Sequence, residues 1–142
     1  MSSKREQIIA ALATTLAGTT GVSTRIYRSR LEAFQRNEAP ALVIEPGQDQ
    51  ATIPAVSTRY IDWTLQVMIA VASRGDIPDQ AADPTIASIH SKVMADRTLG
   101  GLVLDVYPQS VVPNFEKADA TAAWTVCTYQ VRYRTSVDSI ES

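Results

Sequence analysis

One stretch constrains this chain more than any other: Ser57 to Ser73, STRYIDWTLQVMIAVAS. Its odd positions read Ile61, Trp63, Leu65, Val67, Ile69 and Val71, and its even positions read Tyr60, Asp62, Thr64, Gln66, Met68 and Ala70. A period of two predicts a strand with one buried face. Six large apolar side chains at about 1.5–3 kcal/mol each give roughly 9–18 kcal/mol of gross burial, enough to make this strand the centre of a sheet. Ordering its backbone costs about 1–2 kcal/mol per residue, so it needs covering partners.

The partners are found on both sides of it. Between Ser3 and Ala17, Ile8, Leu12 and Leu16 recur every four residues, with Ile9, Ala11 and Ala13 beside them, which predicts an amphipathic helix. Ser2 or Ser3 followed by Glu6 resembles a capping box, and Gly18 sits where a left-handed residue would stop the helix. Short strands are expected at Thr24–Arg28 and at Ala41–Glu45, the second closing at Pro46-Gly47 and leaving a polar loop or arm to Val56. A second helix is expected with Asp83 as N-cap and Pro84 as its first residue, its inner stripe formed by Ile86, Ile89, His90, Val93 and Met94. Gly100-Gly101 stops it and leads to a strand with Leu102, Leu104 and Val106 on one face, which Pro108 and Pro113 confine to an edge. The last strand, Ala122–Thr135, puts Ala123, Cys127, Tyr129, Val131 and Tyr133 on one face and Trp124, Val126, Thr128, Gln130, Arg132 and Arg134 on the other.

The expected fold is therefore α+β: a mainly antiparallel sheet of about five strands with two helices on one face, in the order α-β-β-β-α-β-β. At 142 residues it should be one domain, 1–136, with 137–142 a flexible tail. The N-terminus has a basic start, but its threonine-rich middle is only weakly apolar, and it reads as a helix of the mature protein. No apolar run approaches the roughly 20 residues that span a bilayer.

Candidate chemistry is sparse. A single cysteine, Cys127, excludes an internal disulfide, and its place on an inward strand face makes it a small apolar residue rather than a nucleophile. His90, the only histidine, belongs to a helix flank. Asp76, Asp79 and Asp83 lack the ligand order of an EF-hand and read as turn and cap residues. No catalytic constellation, cofactor site or metal site is expected. Net charge is −2, split as +3 over residues 1–40 and −5 over the rest, too mild for a nucleic-acid footprint. Arg25, Arg28, Arg30 and Arg36 lie beside Tyr27 and Phe34, and a solvated strand flank explains them. Trp124 shares its face with Arg132 and fits an interface as well as it fits a core.

Five phrases taken in order, REQIIAALATTLAG, RIYRSRLEAFQRNEAPALVIEPG, WTLQVMIAVAS, DPTIASIHSKVMADRTLGGLVLDV and YQVRYRT, resemble the tail terminator, or tail completion, family of long-tailed bacteriophages, over nearly the whole chain. The resemblance implies a non-enzymatic virion protein, assembled in the host cytoplasm. It would form a ring, hexameric in that family, that ends tail-tube polymerisation and joins tail to head. Implied partners are further copies of the chain, the tail tube protein and a head-tail connector, with phage DNA only passing through the lumen and no membrane. Interface residues expected on this basis are Arg25, Arg28, Arg30, Gln48, Asp49, Gln50, Trp124 and Arg132; the segments Gln48–Val56 and Pro108–Ala120 would contact tube or neck, and the Arg25, Arg28 and Arg30 cluster would pair with acidic residues of a neighbouring copy. Alternatives are another neck protein or a small non-catalytic ligand-binding domain. A hydrolase would have to use His90. Replacing His90 with Gln is expected to leave assembly unchanged by light scattering, whereas loss of a hydrolytic activity would reinstate the enzyme reading.

Overall fold

A computed structural model describes residues 2–22, 25–28, 40–53, 59–75, 77–115 and 122–141. The alternation in the central stretch becomes strand β3 (Tyr60–Arg74), whose Leu65, Val67, Ile69 and Val71 are fully buried while the residues between them are half-buried. Its fifteen residues pair antiparallel, without a break, with the fifteen of β5 (Ala122–Ser136), from Tyr60 opposite Ser136 to Arg74 opposite Ala122. Around this pair are β2 (Ala41–Thr52), β1 (Ile26–Arg28) and β4 (Asp105–Phe115), in the sheet order β1-β2-β3-β5-β4. Only β1 runs parallel to its neighbour, so the sheet is mixed but mainly antiparallel. Helices α1 (Lys4–Thr15) and α2 (Pro78–Ala95) complete the expected α-β-β-β-α-β-β order.

Both helices lie on the face that carries the odd residues of β3. From α1, Ile8, Ile9 and Leu12 join Leu42, Ile44, Leu65, Val67 and Ile69 in the main core, and α2 adds Ala82, Ile89 and Val93. Ser3 caps α1 by accepting from the Glu6 N–H at 3.3 Å, and Gly18 takes a φ of +80° just past the helix end, both as its sequence predicts. Arg28 of β1 grips Glu6 of α1 with two bonds of 2.6 and 2.7 Å, tying the first strand to the first helix.

Three boundaries differ from the sequence expectation. Strand β2 does not end at Pro46-Gly47 but runs on to Thr52, with the register shift between Pro46 and Asp49 absorbing the irregular residues. The Leu42 N–H donates away from β3, to Arg25 O, and Pro46, four residues on, points the same way, where the missing N–H costs no ladder bond to β3. Gly47 is required because a Cβ there would lie 2.9 Å from Gln66 Oε1 and 3.1 Å from its carbonyl. Helix α2 begins at Pro78, not Pro84, so Asp83 and Pro84 sit inside it rather than at its start. Pro78 suits the first turn as well as Pro84 does, and the two added turns bury Ala82 completely. Strand β4 starts only at Asp105, because Leu99, Gly100 and Gly101 all adopt positive φ. The Asp96 carboxylate binds the Gly100 N–H at 2.9 Å and holds that loop, leaving Leu104 about half exposed instead of on the core face.

The C-terminal segment, expected to be flexible, is bonded to the body where it is described: the Lys4 N–H donates to Ile140 O, the Val137 N–H to Arg59 O, and Gln7 Nε2 to Glu141 O. The Val137 bond also fixes which way the β5 backbone points. Its odd residues face β3, so Pro108 opposite Tyr129 and Pro113 opposite Thr125 hold their nitrogens toward the outer edge of β4.

The two faces of β3 should respond differently to truncation. Ile69→Ala, which empties a fully buried site, is expected to cost about 2–5 kcal/mol in chemical denaturation, and Met68→Ala, one residue away on the uncovered face, about 1 kcal/mol or less.

Candidate functional site

Among the described residues, no helix lies on the face of the sheet opposite α1 and α2. Register places Val43, Ala70, Val126 and Val112 in one row across four strands, next to a row of Ala41, Ala72 and Trp124. Ala41, Val43 and Ala72 are buried and form a small second core with Tyr27, Ala70 and Trp124, while Val112 and its neighbour Val111 are about half exposed. Trp124 therefore packs on this face and is partly exposed there, combining the two roles its sequence allowed. Further along the strands the face turns to amides. Gln109 Oε1 accepts from Gln66 Nε2 at 3.2 Å and from Gln130 Nε2 at 3.0 Å, and the Tyr107 hydroxyl donates to Gln130 Oε1 at 2.9 Å. Gln48, Gln50, Thr64, Gln66 and Gln130 enclose a shallow cleft of about 80 Å³. At the far end Arg134 holds Asp62 through bonds of 2.6 and 3.2 Å and lies over the Tyr60 ring, and its guanidinium keeps the Asp62 carboxyl below the usual aspartate range.

The expected interface residues divide between several places. Gln48, Gln50, Trp124 and Arg132 belong to the uncovered face; Gln48, Gln50 and Arg132 are exposed. Arg25 instead caps its own loop, donating to Pro40 O at 3.0 Å and to Gly21 O at 2.7 Å. Arg28 is held by Glu6, which pushes the Glu6 carboxyl down and the guanidinium up, so charge reversal at Arg28 would also break the α1–β1 contact. Arg30 lies outside the described residues.

Asp49 lies apart from Gln48 and Gln50, on the helix-side face, where the register opposite Leu65 turns it inward. Tyr133 donates its hydroxyl to Asp49 Oδ2 at 2.5 Å, and the Tyr133 ring stacks on Trp63 with centroids 6.1 Å apart. Trp63 Nε1 is fixed by Thr135 Oγ1 at 2.9 Å. Beside this group is a cleft of about 120 Å³ lined by Ser3, Arg5, Asp49, Trp63, Tyr133 and Ile140. The second carboxylate oxygen, Asp49 Oδ1, is buried and accepts no hydrogen bond among the described residues. Desolvation raises the Asp49 pKa, and neither the Tyr133 bond nor the positive charge of Arg5 offsets it. Tyr133 is pushed well up by the same burial and by the carboxylate it faces.

Sequence reasoning treated Trp63 and Tyr133 as core and Asp49 as loop. The available signal was the alternation that resumes after Gly47, with Gln48, Gln50 and Thr52 on one parity and Asp49 and Ala51 on the other. Cys127 is buried as its sequence position suggests, with its thiol pushed up to about 11 by desolvation, whereas His90, counted with the inner stripe of α2, is exposed on the helix flank and outside that stripe. Among the described residues no group of three His, Cys, Asp or Glu side chains is placed to hold a metal ion, and no helix is long and apolar enough to cross a membrane.

The arrangement defines an α+β protein in which, among the described residues, both helices cover one sheet face and none covers the other. No protein-family model matches the chain, and no curated protein matches it. Among solved structures it is similar to a chain of the virion of a native gene transfer agent particle, at 11% identity and a TM-score of 0.44 over 94% of this chain and 92% of that one.

The raised Asp49 pKa makes a signed prediction. A carboxyl whose folded pKa lies above its unfolded value favours folding fully only below the unfolded value, and that contribution is lost as pH rises through the folded pKa. At neutral pH Asp49 therefore weakens the fold. Asp49→Asn, which can still accept from Tyr133, is expected to raise Tm at pH 7, and the gain should shrink as pH falls toward about 4, the ordinary aspartate range.

Proposed function

We propose that this chain is a non-enzymatic structural protein of a phage-like virion: a tail terminator that forms a ring, six-membered by family resemblance, at the head-proximal end of the tail tube. The ring would stop tube growth and offer a surface for head-tail joining. The observation that carries this reading is the uncovered sheet face, where an apolar row ending in half-exposed Val112 adjoins an exposed amide field. A mostly polar surface with a small apolar centre has the composition of a protein interface. Support also comes from where the five family-like phrases fall. Three of them contain α1, the inner part of β3 and the later part of β5, a fourth contains most of α2 and runs into β4, and the remaining one includes β1 and the start of β2.

In this reading copies of the chain contact one another, the tail tube protein and a head-tail connector, and DNA passes through the lumen without being read. Gln48, Gln50, Trp124 and Arg132 serve as contact residues, since the helices leave them uncovered. The ring size depends on the angle between neighbouring copies, which closed symmetry would set.

Absolute mass by light scattering after size exclusion, over a range of concentrations and at two salt levels, tests the proposal. A mass near six times the 15.4 kDa chain is expected, either alone or once tube protein is added. A strict monomer that also fails to cap tubes would overturn the proposal in favour of a ligand-binding domain.

A further inference from the structure

The Asp49 cleft borders the main core, with which it shares Tyr133 and Trp63, and lies apart from the uncovered face. Its composition is unusual for a structural void: a buried carboxylate oxygen without a donor, a stacked Trp63–Tyr133 wall, and an apolar rim residue, Ile140. A carboxylate can accept about four hydrogen bonds, and Asp49 receives one, at Oδ2. Desolvation raises the Asp49 pKa although the Tyr133 bond and the charge of Arg5, which also lines the cleft, act against it. A cavity of about 120 Å³ accommodates a single side-chain head group but little more. Indole and phenol faces attract guanidinium and ammonium groups, and a desolvated carboxylate binds guanidinium more strongly than an exposed one does.

We propose that the Asp49 cleft is a socket for a basic side chain and that, in the assembled ring, the side chain is Arg132 of a second copy of this chain. The second half of the proposal rests on the ring reading above. Arg132 is exposed on the uncovered face and donates no hydrogen bond among the described residues, while the nearby Asp62 is already held by Arg134. The socket opens on the helix side of the sheet and Arg132 projects from the opposite side, so the contact joins two different patches. Such a heterologous contact closes into a ring when its rotation allows.

The experiment has two parts. Methylguanidinium is titrated into full-length Arg132→Gln, whose socket stays empty, while the Trp63 indole N–H is followed by NMR, and into the same variant with Asp49→Asn or Arg5→Gln added; mass is then measured for the wild type, Asp49→Asn, Arg132→Gln and the double variant. The expected results are a saturable shift in Arg132→Gln that is weakened at least tenfold when Asp49→Asn is added. Assembly should be lost in each single variant, and the double variant should be no worse than either. Absence of a shift in Arg132→Gln both with and without Arg5→Gln, or an equal shift after Asp49→Asn is added, overturns the socket. A saturable shift with assembly intact in both single variants overturns the second copy as occupant, and a shift that appears only once Arg5→Gln is added assigns the cation to the chain itself. A wild type that never assembles, with or without tube protein, overturns the ring reading and the Arg132 contact together, while the titration still decides the socket.

Discussion

The uninterrupted pairing of β3 with β5 is the constraint on which the remaining elements depend. Both strands are fifteen residues long, and each alternates between a heavily apolar parity and a polar or small one. A slip of one residue would turn Asp62, Gln66, Arg132 and Arg134 toward the helices and expose Leu65, Val67, Val131 and Tyr133. Desolvating those charges would cost several kcal/mol, far more than a register shift could recover in ladder bonds. Because the register is fixed in this way, both helices have one face on which to bury Leu12, Ile89 and Val93, and β2 and β4 have one phase in which they can add to the sheet.

Elements whose own side chains carry their pattern were legible in the chain. The phases of β3 and β5, the Ser3 cap, the Gly18 stop and the edge position of β4 all follow from spacing within a few residues. The boundaries that shifted are those decided by a neighbour. Pro46-Gly47 has the composition of a turn, but β3 extends past it and offers pairing partners as far as Asp62, so β2 continues through a bulge. Two prolines competed to start α2, and burial of Ala82 favoured the earlier one. Leu102 and Leu104 alternate like strand residues, but three consecutive positive φ values delay the strand beyond them.

The same distinction holds at the candidate sites. Gln48, Gln50 and Arg132 stand out as exposed polar residues on alternating strands, and they are found where that alternation points. The cleft could not be read in this way, because Asp49 and Tyr133 are 84 positions apart and meet only through the β2-β3-β5 registers. Arg28 gives the opposite lesson. In sequence it belongs to a basic run beside a strand, and only the packing of α1 next to β1 supplies Glu6 as its partner.

How copies of this chain could associate is limited by the backbone of its edges. A free strand edge invites another strand, and natural sheets blunt it with residues that cannot donate. Both long free edges here do so: Pro108 and Pro113 aim their nitrogens outward from β4, and Pro46 does the same from the half of β2 that β1 leaves uncovered. Extending the sheet from copy to copy would leave carbonyls opposite those positions without donors, at a cost of about 1–3 kcal/mol for each one buried. Contacts through side chains on the two sheet faces avoid that cost. They leave the edges as they are, and they give the amide field, the Val112 row and the Asp49 cleft a role that the isolated fold does not require.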